Sequence, residues 1–229
     1  MSLRTLSALE ARVLAVLVEK ESTVPDSYPL SLNALTLGCN QKTAREPVMN
    51  ASEADVLLAL EELKAMHLVN TVSGSRVVRF EHNGARGLGV PGAGLALLTL
   101  LMLRGPQTTA ELRLHTERLH RFADVSSVEG FLEELAEATE RRPAFVVKLA
   151  RAPGAREARW AHLLSGEPAA DAGAYPGSYA GPPGASAAHD EDIAFLRAEQ
   201  QRMGKELEQL KALVQRMAAE LGMDGGEPI

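Results

Sequence analysis

SEADVLLALEELKAMHLVNTVSGSRVVRF, residues 52–80, changes its structural period part-way along. Ser52 and Asp55 have the spacing of a capping box, in which each side chain satisfies an orphan backbone donor at a helix start. Val56, Leu57, Leu60 and Leu63 then recur every three or four positions, which predicts an amphipathic helix. LVNTV and RVVRF, separated by Ser73-Gly74-Ser75, are rich in β-branched residues and predict a hairpin. A helix therefore runs straight into two short strands.

The same plan extends in both directions. Upstream, Ser7 and Glu10 open a helix with Leu9, Val13, Val16 and Leu17 on one stripe. Downstream, Thr108/Glu111 and Ser126/Glu129 open two more, and AFVVKLA and ARWAHLL flank a turn at Ala152-Pro153-Gly154. The third helix of each half carries the same string, Leu60-Glu61-Glu62-Leu63 and Leu132-Glu133-Glu134-Leu135. The order helix, helix, helix, hairpin occurs twice. The expected fold is mainly α with small β-hairpin wings: two tandem winged-helix domains, 1–83 and 84–164.

Beyond them, residues 165–189 are crowded with Gly, Pro, Ala and Ser and predict a flexible linker. From 190 to 222 a heptad pattern places Ile193, Gln200, Leu207, Val214 and Leu221 at one apolar position. Leu196, Met203, Leu210 and Met217 fall at the other. So narrow a stripe is buried by a self-pairing coiled coil, which predicts a homodimer held by Ile193, Leu196, Met203, Leu207, Leu210, Val214, Met217 and Leu221. The alternative is a helix folded back on its own domains.

A chain of 229 residues accommodates two domains with an extension, and few aromatics mean cores of Leu, Val and Ala. One cysteine, Cys39, permits no internal disulfide, which fits a reducing compartment. Glu10 and Arg12 interrupt the first apolar stretch, so it reads as a helix and not a signal peptide. The uncharged run between Arg86 and Arg104 holds glycines and Pro91 and is too short to span a bilayer. A cytoplasmic protein without a membrane segment is expected. Basic and acidic residues number 8 and 10 in 1–83, 11 and 9 in 84–164, and 5 and 11 in 165–229, summing to 24 and 30. The strongly basic domain usual in nucleic-acid binders is missing from both halves.

The segment EKESTVPDSYPLSLNALTLGCNQKTAREPVM, residues 19–49, closely resembles the signature of the YceH-like family of uncharacterised bacterial proteins. The resemblance continues through SEADVLLALEELKAMHLV and TTAELRLHTERLHRFADVSSVEGFLEEL, covering roughly 5–164. It implies tandem winged-helix domains and no settled biochemical role. The family's polar string stands here as Tyr28, Pro29, Ser31, Asn33, Cys39, Asn40, Gln41, Lys42, Arg45 and Pro47.

Two readings of these residues compete. In helix-turn-helix proteins the recognition helix meets base edges, so Gln41, Lys42 and Arg45 could read bases while Arg76 and Arg79 on the hairpin meet phosphates. Arg113, Arg118 and Arg121, expected on the second helix of the second half, would form another nucleic-acid contact surface. Against this, the third helices carry Glu53, Asp55, Glu61 and Glu62, and Glu129, Glu133, Glu134, Glu137 and Glu140, which repel phosphates. The other reading makes Asn33, Cys39, Asn40 and Gln41 a hydrogen-bonded turn between helices.

Gly87-Leu88-Gly89-Val90-Pro91-Gly92 matches a dinucleotide fingerprint, but a helix and no parallel βαβ unit follows, so an interdomain linker is expected. His115 and His120 have no carboxylate arranged to complete a metal site and read as solvated. No nucleophile elbow or phosphate loop stands out, and no cofactor is expected. The sequence reading is a non-enzymatic dimeric regulator associated with duplex DNA. Its alternative is an adaptor that docks protein partners on its winged helices.

Overall fold

The computed structural model describes residues 4–72, 77–140 and 142–168. Arg76, most of the linker and the whole heptad segment with its dimerisation candidates lie outside the described residues. In the first half, α1 (Ala8–Thr23) is followed by a 3-10 turn, β1 (Leu30–Ser31), α2 (Leu32–Cys39), α3 (Glu53–Ala65), β2 (Val69–Val72) and β3 (Arg79–His82). A short α4 (Gly84–Leu88) leads to α5 (Gly92–Arg104), α6 (Thr109–His115), α7 (Val125–Ala136), β4 (Val146–Lys148) and β5 (Trp160–His162). The described residues are thus mainly helical, with small antiparallel sheets.

Three of the four expected capping boxes open helices. Ser7 with Glu10 starts α1, Ser52 with Asp55 starts α3, and Thr108 with Glu111 starts α6. The fourth is displaced. Asp124 caps α7, its carboxylate accepting from the Ser127 amide at 2.7 Å, while the Asp124 amide donates to Ser127 Oγ at 3.2 Å. Asp124 lies one residue before Val125, so α7 begins earlier than Ser126 predicts.

The first sheet has the order β1-β3-β2. Thr71 and Leu30 both lie opposite Phe80, which is buried. This register moves the second strand of the hairpin downstream to 79–82, because a slip would turn Phe80 outward. Val77 and Val78, expected within the strand, stand outside it and are more than half exposed. The second half repeats the arrangement in outline. β4 pairs with β5, and Gln107 makes an antiparallel bridge to Trp160, so it occupies the place before α6 that β1 occupies before α2.

α1 and α5 depart from a one-sided amphipathic pattern. Residues 10–18 and 93–103 are buried without interruption, so both helices are enclosed on every side, with Glu10 and Arg12 the buried charges of α1. α1 packs on α2, α3 and β3 and, on its remaining side, on α5. The buried residues of the two halves are therefore continuous. Two backbone hydrogen bonds reinforce the join, from the Leu6 amide to the Leu164 carbonyl and from the Glu46 amide to the Leu103 carbonyl, each 2.7 Å. Among the described residues no helix is long and apolar enough to cross a membrane.

The glycine-rich 87–92 segment forms the end of α4 and the entry to α5. Gly89 has φ 65° and ends α4 in the left-handed region that only glycine enters freely. A Cβ on Gly87 would lie 2.7 Å from Leu68 Cδ2 and 3.1 Å from the His67 carbonyl oxygen, so close packing requires glycine there.

Candidate functional site

The polar string of residues 28–47 is built around the loop 40–51, which joins α2 to α3. Arg12, Val16 and Glu19 lie on one face of α1, at spacings of four and three. Arg12 donates through Nη1 to the Cys39 carbonyl at 3.1 Å and through Nη2 to the Pro47 carbonyl at 2.7 Å. Glu19 accepts a forked pair from Arg45, at 3.1 Å from Nη1 and 2.6 Å from Nη2. Arg45 also donates to the carbonyls of Gly38 and Ala44 and to Gln41 Oε1. Asn40 closes the loop, donating to the Ala51 carbonyl and accepting from the Ala51 amide, both at 2.8 Å.

This geometry reassigns two of the proposed base-reading residues. The Arg45 side chain has no solvent-exposed surface, and its fork faces Glu19 and not solvent. Gln41 turns its amide oxygen onto the same guanidinium. Both hold the loop, as the hydrogen-bonded-turn reading expects for Asn40 and Gln41. Lys42 stays exposed, but it lies in the loop well before α3. Arg79 donates to the Pro29 carbonyl at 2.7 Å and pins the 3-10 turn region against β3.

The buried charges shape one another. Burial opposes the Glu19 carboxylate, yet the hydrogen bonds and charge of Arg45, aided by Lys20, hold it below the usual carboxylate range. Burial and the neighbouring charge of Arg45 push Arg12 down. Burial drives the Cys39 thiol up to about 12, with Arg12 and Arg45 opposing, so it stays protonated and inert.

A separate groove of about 530 Å³ runs between α3 and the first sheet. Leu32, Leu57, Phe80, Val77 and Val78 line it, and Glu53, Glu61 and Lys64 supply its charge. Asn33 donates to Glu53 at 3.1 Å, and Lys64 pairs with Glu61 at 3.2 Å. The neighbouring Leu58 is 68% exposed. The groove floor is therefore apolar, while α3 contributes to it Leu57 together with the charged Glu53, Glu61 and Lys64.

Residues 6–155 match the family model described as "Protein of unknown function, DUF480". A UPF0502 protein of Leptothrix cholodnii is 61% identical over 221 residues, covering 96% of this chain and 97% of that protein. UPF0502 proteins of Burkholderia multivorans and Burkholderia pseudomallei strain K96243 are 58% and 59% identical, each over 99% of this chain and over 94% and 93% of their own lengths. The chain belongs to the DUF480 (UPF0502) family.

In this DUF480 protein the second-half cations are spread over different elements. Arg113 lies on α6 and reaches the Ala123 carbonyl at 3.3 Å, whereas Arg118 and Arg121 lie beyond the helix end at His115, not on it as expected. All three are exposed, and Arg121 is 4.0 Å from Glu117. Lys148 pairs with Glu129 at 2.9 Å over the Trp160 ring. His115 is not simply solvated. It is half-buried and 2.6 Å from Gln107 Oε1, and burial, then the charge of Arg104, pulls its pKa down.

Sequence reasoning passed over Arg12 and Glu19, which carry the loop from α1. The available signal was a lone arginine within an apolar helical run, since a buried charge must find partners. Nothing in sequence spacing linked either residue to a loop some thirty positions away.

Proposed function

We propose that this chain is a non-enzymatic adaptor in which winged-helix units serve as docking surfaces for protein. In this reading residues 1–83 and 84–164 are the two units, 165–189 a linker, and 190–222 a coiled-coil helix that pairs two copies in the cytoplasm. Support for the winged-helix assignment comes from the repeated order of helix, paired strand or bridge, two helices and hairpin.

The observation that carries the adaptor reading is the groove between α3 and its hairpin. A DNA-reading winged helix presents cations on these elements, because phosphate contacts supply most of the affinity. Here Glu53 and the Glu61–Lys64 ion pair flank exposed Leu57, Val77 and Val78, and that lysine is already neutralised by its partner. An apolar protein segment with a basic residue complements that face; a phosphate backbone does not.

A photo-crosslinking residue placed at Val78 in the full chain tests this in cells. A protein adduct that is lost with Leu57→Glu is expected. An adduct destroyed by nuclease overturns the reading. Sedimentation of a chain ending at residue 185 is expected to show a monomer, and an unchanged dimer would place pairing in the winged-helix units.

A regulator bound to duplex DNA is the second reading, favoured by the exposure of Lys42, Arg113, Arg118 and Arg121. It predicts duplex binding that weakens steeply with salt in fluorescence anisotropy. The adaptor reading expects weak binding with a flat salt response.

A further inference from the structure

We propose that the groove between α3 and the hairpin of the first half takes a protein segment that inserts a single lysine or arginine among apolar side chains. The inference rests on the adaptor reading and names the chemistry of the partner at that same groove.

The second half shows how the chain fills the corresponding place with its own side chains. Caps and strand registers put the two halves into correspondence. Leu30 and Gln107, each the residue before a helix N-cap, pair with Phe80 and Trp160, so those two aromatic residues are equivalent. Thr71 lies opposite Phe80, and Lys148 lies opposite Trp160. Leu57 and Glu129 each stand five residues after the N-cap of their helix, Ser52 and Asp124. In the second half Lys148 Nζ lies 5.2 Å from the centre of the Trp160 ring and 2.9 Å from Glu129, bridging strand and helix. In the first half the same three positions hold Thr71, Phe80 and Leu57, and all three line the open groove.

The apolar surface of the groove is therefore not a demand of the fold. Val78 and Val77, two and three positions before Phe80, correspond to Ala158 and Glu157 before Trp160. Leu57, Val77 and Val78 are 42%, 55% and 56% exposed, where the second half has two glutamates and an alanine. Exposed apolar side chains gathered in one groove mark a contact surface.

Charge sets the rest. The groove carries Glu53 and Glu61 against Lys64, which is already paired with Glu61 at 3.2 Å. Glu53 accepts from the neutral Asn33 amide at 3.1 Å and has no ion pair among the described residues. One carboxylate is thus left for one cation. A lysine or arginine meets both requirements, since its stem covers apolar surface while its head reaches a carboxylate, as Lys148 does over Trp160. A volume of about 530 Å³ lies within the roughly 300–1,000 Å³ of ligand pockets, room for one long side chain and its neighbours and not for a folded domain. Glu53 repels an acidic segment.

Titrations of the full chain, followed by amide shifts in nuclear magnetic resonance, test the assignment. The probe is an acetylated, amidated peptide in the order valine, leucine, lysine, leucine, valine. The comparison peptides carry norleucine or glutamate at the centre, at matched ionic strength. The lysine peptide is expected to shift the amides of Leu57 and Val78 saturably, with the other two binding at least ten-fold more weakly. Glu53→Gln is expected to weaken the lysine peptide several-fold. Leu57→Glu combined with Thr71→Lys, which transplants the second-half pair, is expected to abolish binding, and Glu53→Gln decides the matter if that double variant does not fold. Absence of a saturable shift at the groove, equal binding of the three peptides, or unchanged affinity in Glu53→Gln overturns the proposal. A protein adduct at Val78 whose crosslinked segment contains no lysine or arginine also overturns it and leaves the adaptor reading standing, whereas an adduct destroyed by nuclease overturns both.

Discussion

At Arg45 and Glu19 the pairing is close enough for each side chain to determine the other's fate. Replacing Arg45 with Met leaves the largely buried Glu19 carboxylate with only Lys20, at 3.0 Å, as a charged partner and unties the loop carbonyls, a change expected to cost about 3 kcal/mol. Chemical denaturation of Arg45→Met is expected to show that loss, whereas Lys42→Ala, an exposed change in the same loop, is expected to leave the midpoint almost unmoved. His162 gives a second residue-scale test, through pH. Burial lowers its folded pKa from 6.5 to about 4, so the unfolded chain takes up a proton first as pH falls. Stability is therefore lost as pH drops through that window, by about 2 kcal/mol between pH 7 and pH 5. Glu19 acts in the same direction only in more acid solution, below its ordinary value of 4.5. Urea midpoints at the two pH values are expected to converge in His162→Gln.

Among the elements, α7 offers the sharpest contrast between pattern and structure. Ser126 and Glu129 satisfy the capping spacing, yet Asp124 and Ser127 make the bonds. Asp124→Ala is expected to lower the thermal midpoint by a few degrees and Ser126→Ala to leave it unchanged, as read by circular dichroism. The helices were legible because caps and apolar periods are local: Val56, Leu60 and Leu63 in α3, and Val128, Leu132 and Leu135 in α7, are all buried. β1 and the Gln107 bridge were not legible, since one or two residues show no alternation and their partners, Phe80 and Trp160, lie some fifty positions away. The candidate site divides in the same way. Asn40 and Gln41 were readable as turn formers, but the burial of Arg45 depends on Glu19, which belongs to another element.

For the described part of the molecule, the packing of α1 on α5 decides how the halves respond to stress. Because their buried residues are continuous, the halves are expected to unfold together. Trp160, the only tryptophan, reports on the second half, while far-ultraviolet dichroism reports on helices of both. Coincident urea transitions by the two probes are expected, and Leu97→Ala, in the middle of α5, should shift both equally, at a cost of about 2–5 kcal/mol.

That helix-on-helix seam also has a mechanical meaning. Because α1 and α5 share one core, the two hairpins are expected to keep their separation when a partner binds, which distances between spin labels on the two would check. On the adaptor reading, a partner gripping both hairpins would have to match that span, so the shared core would act as a gauge.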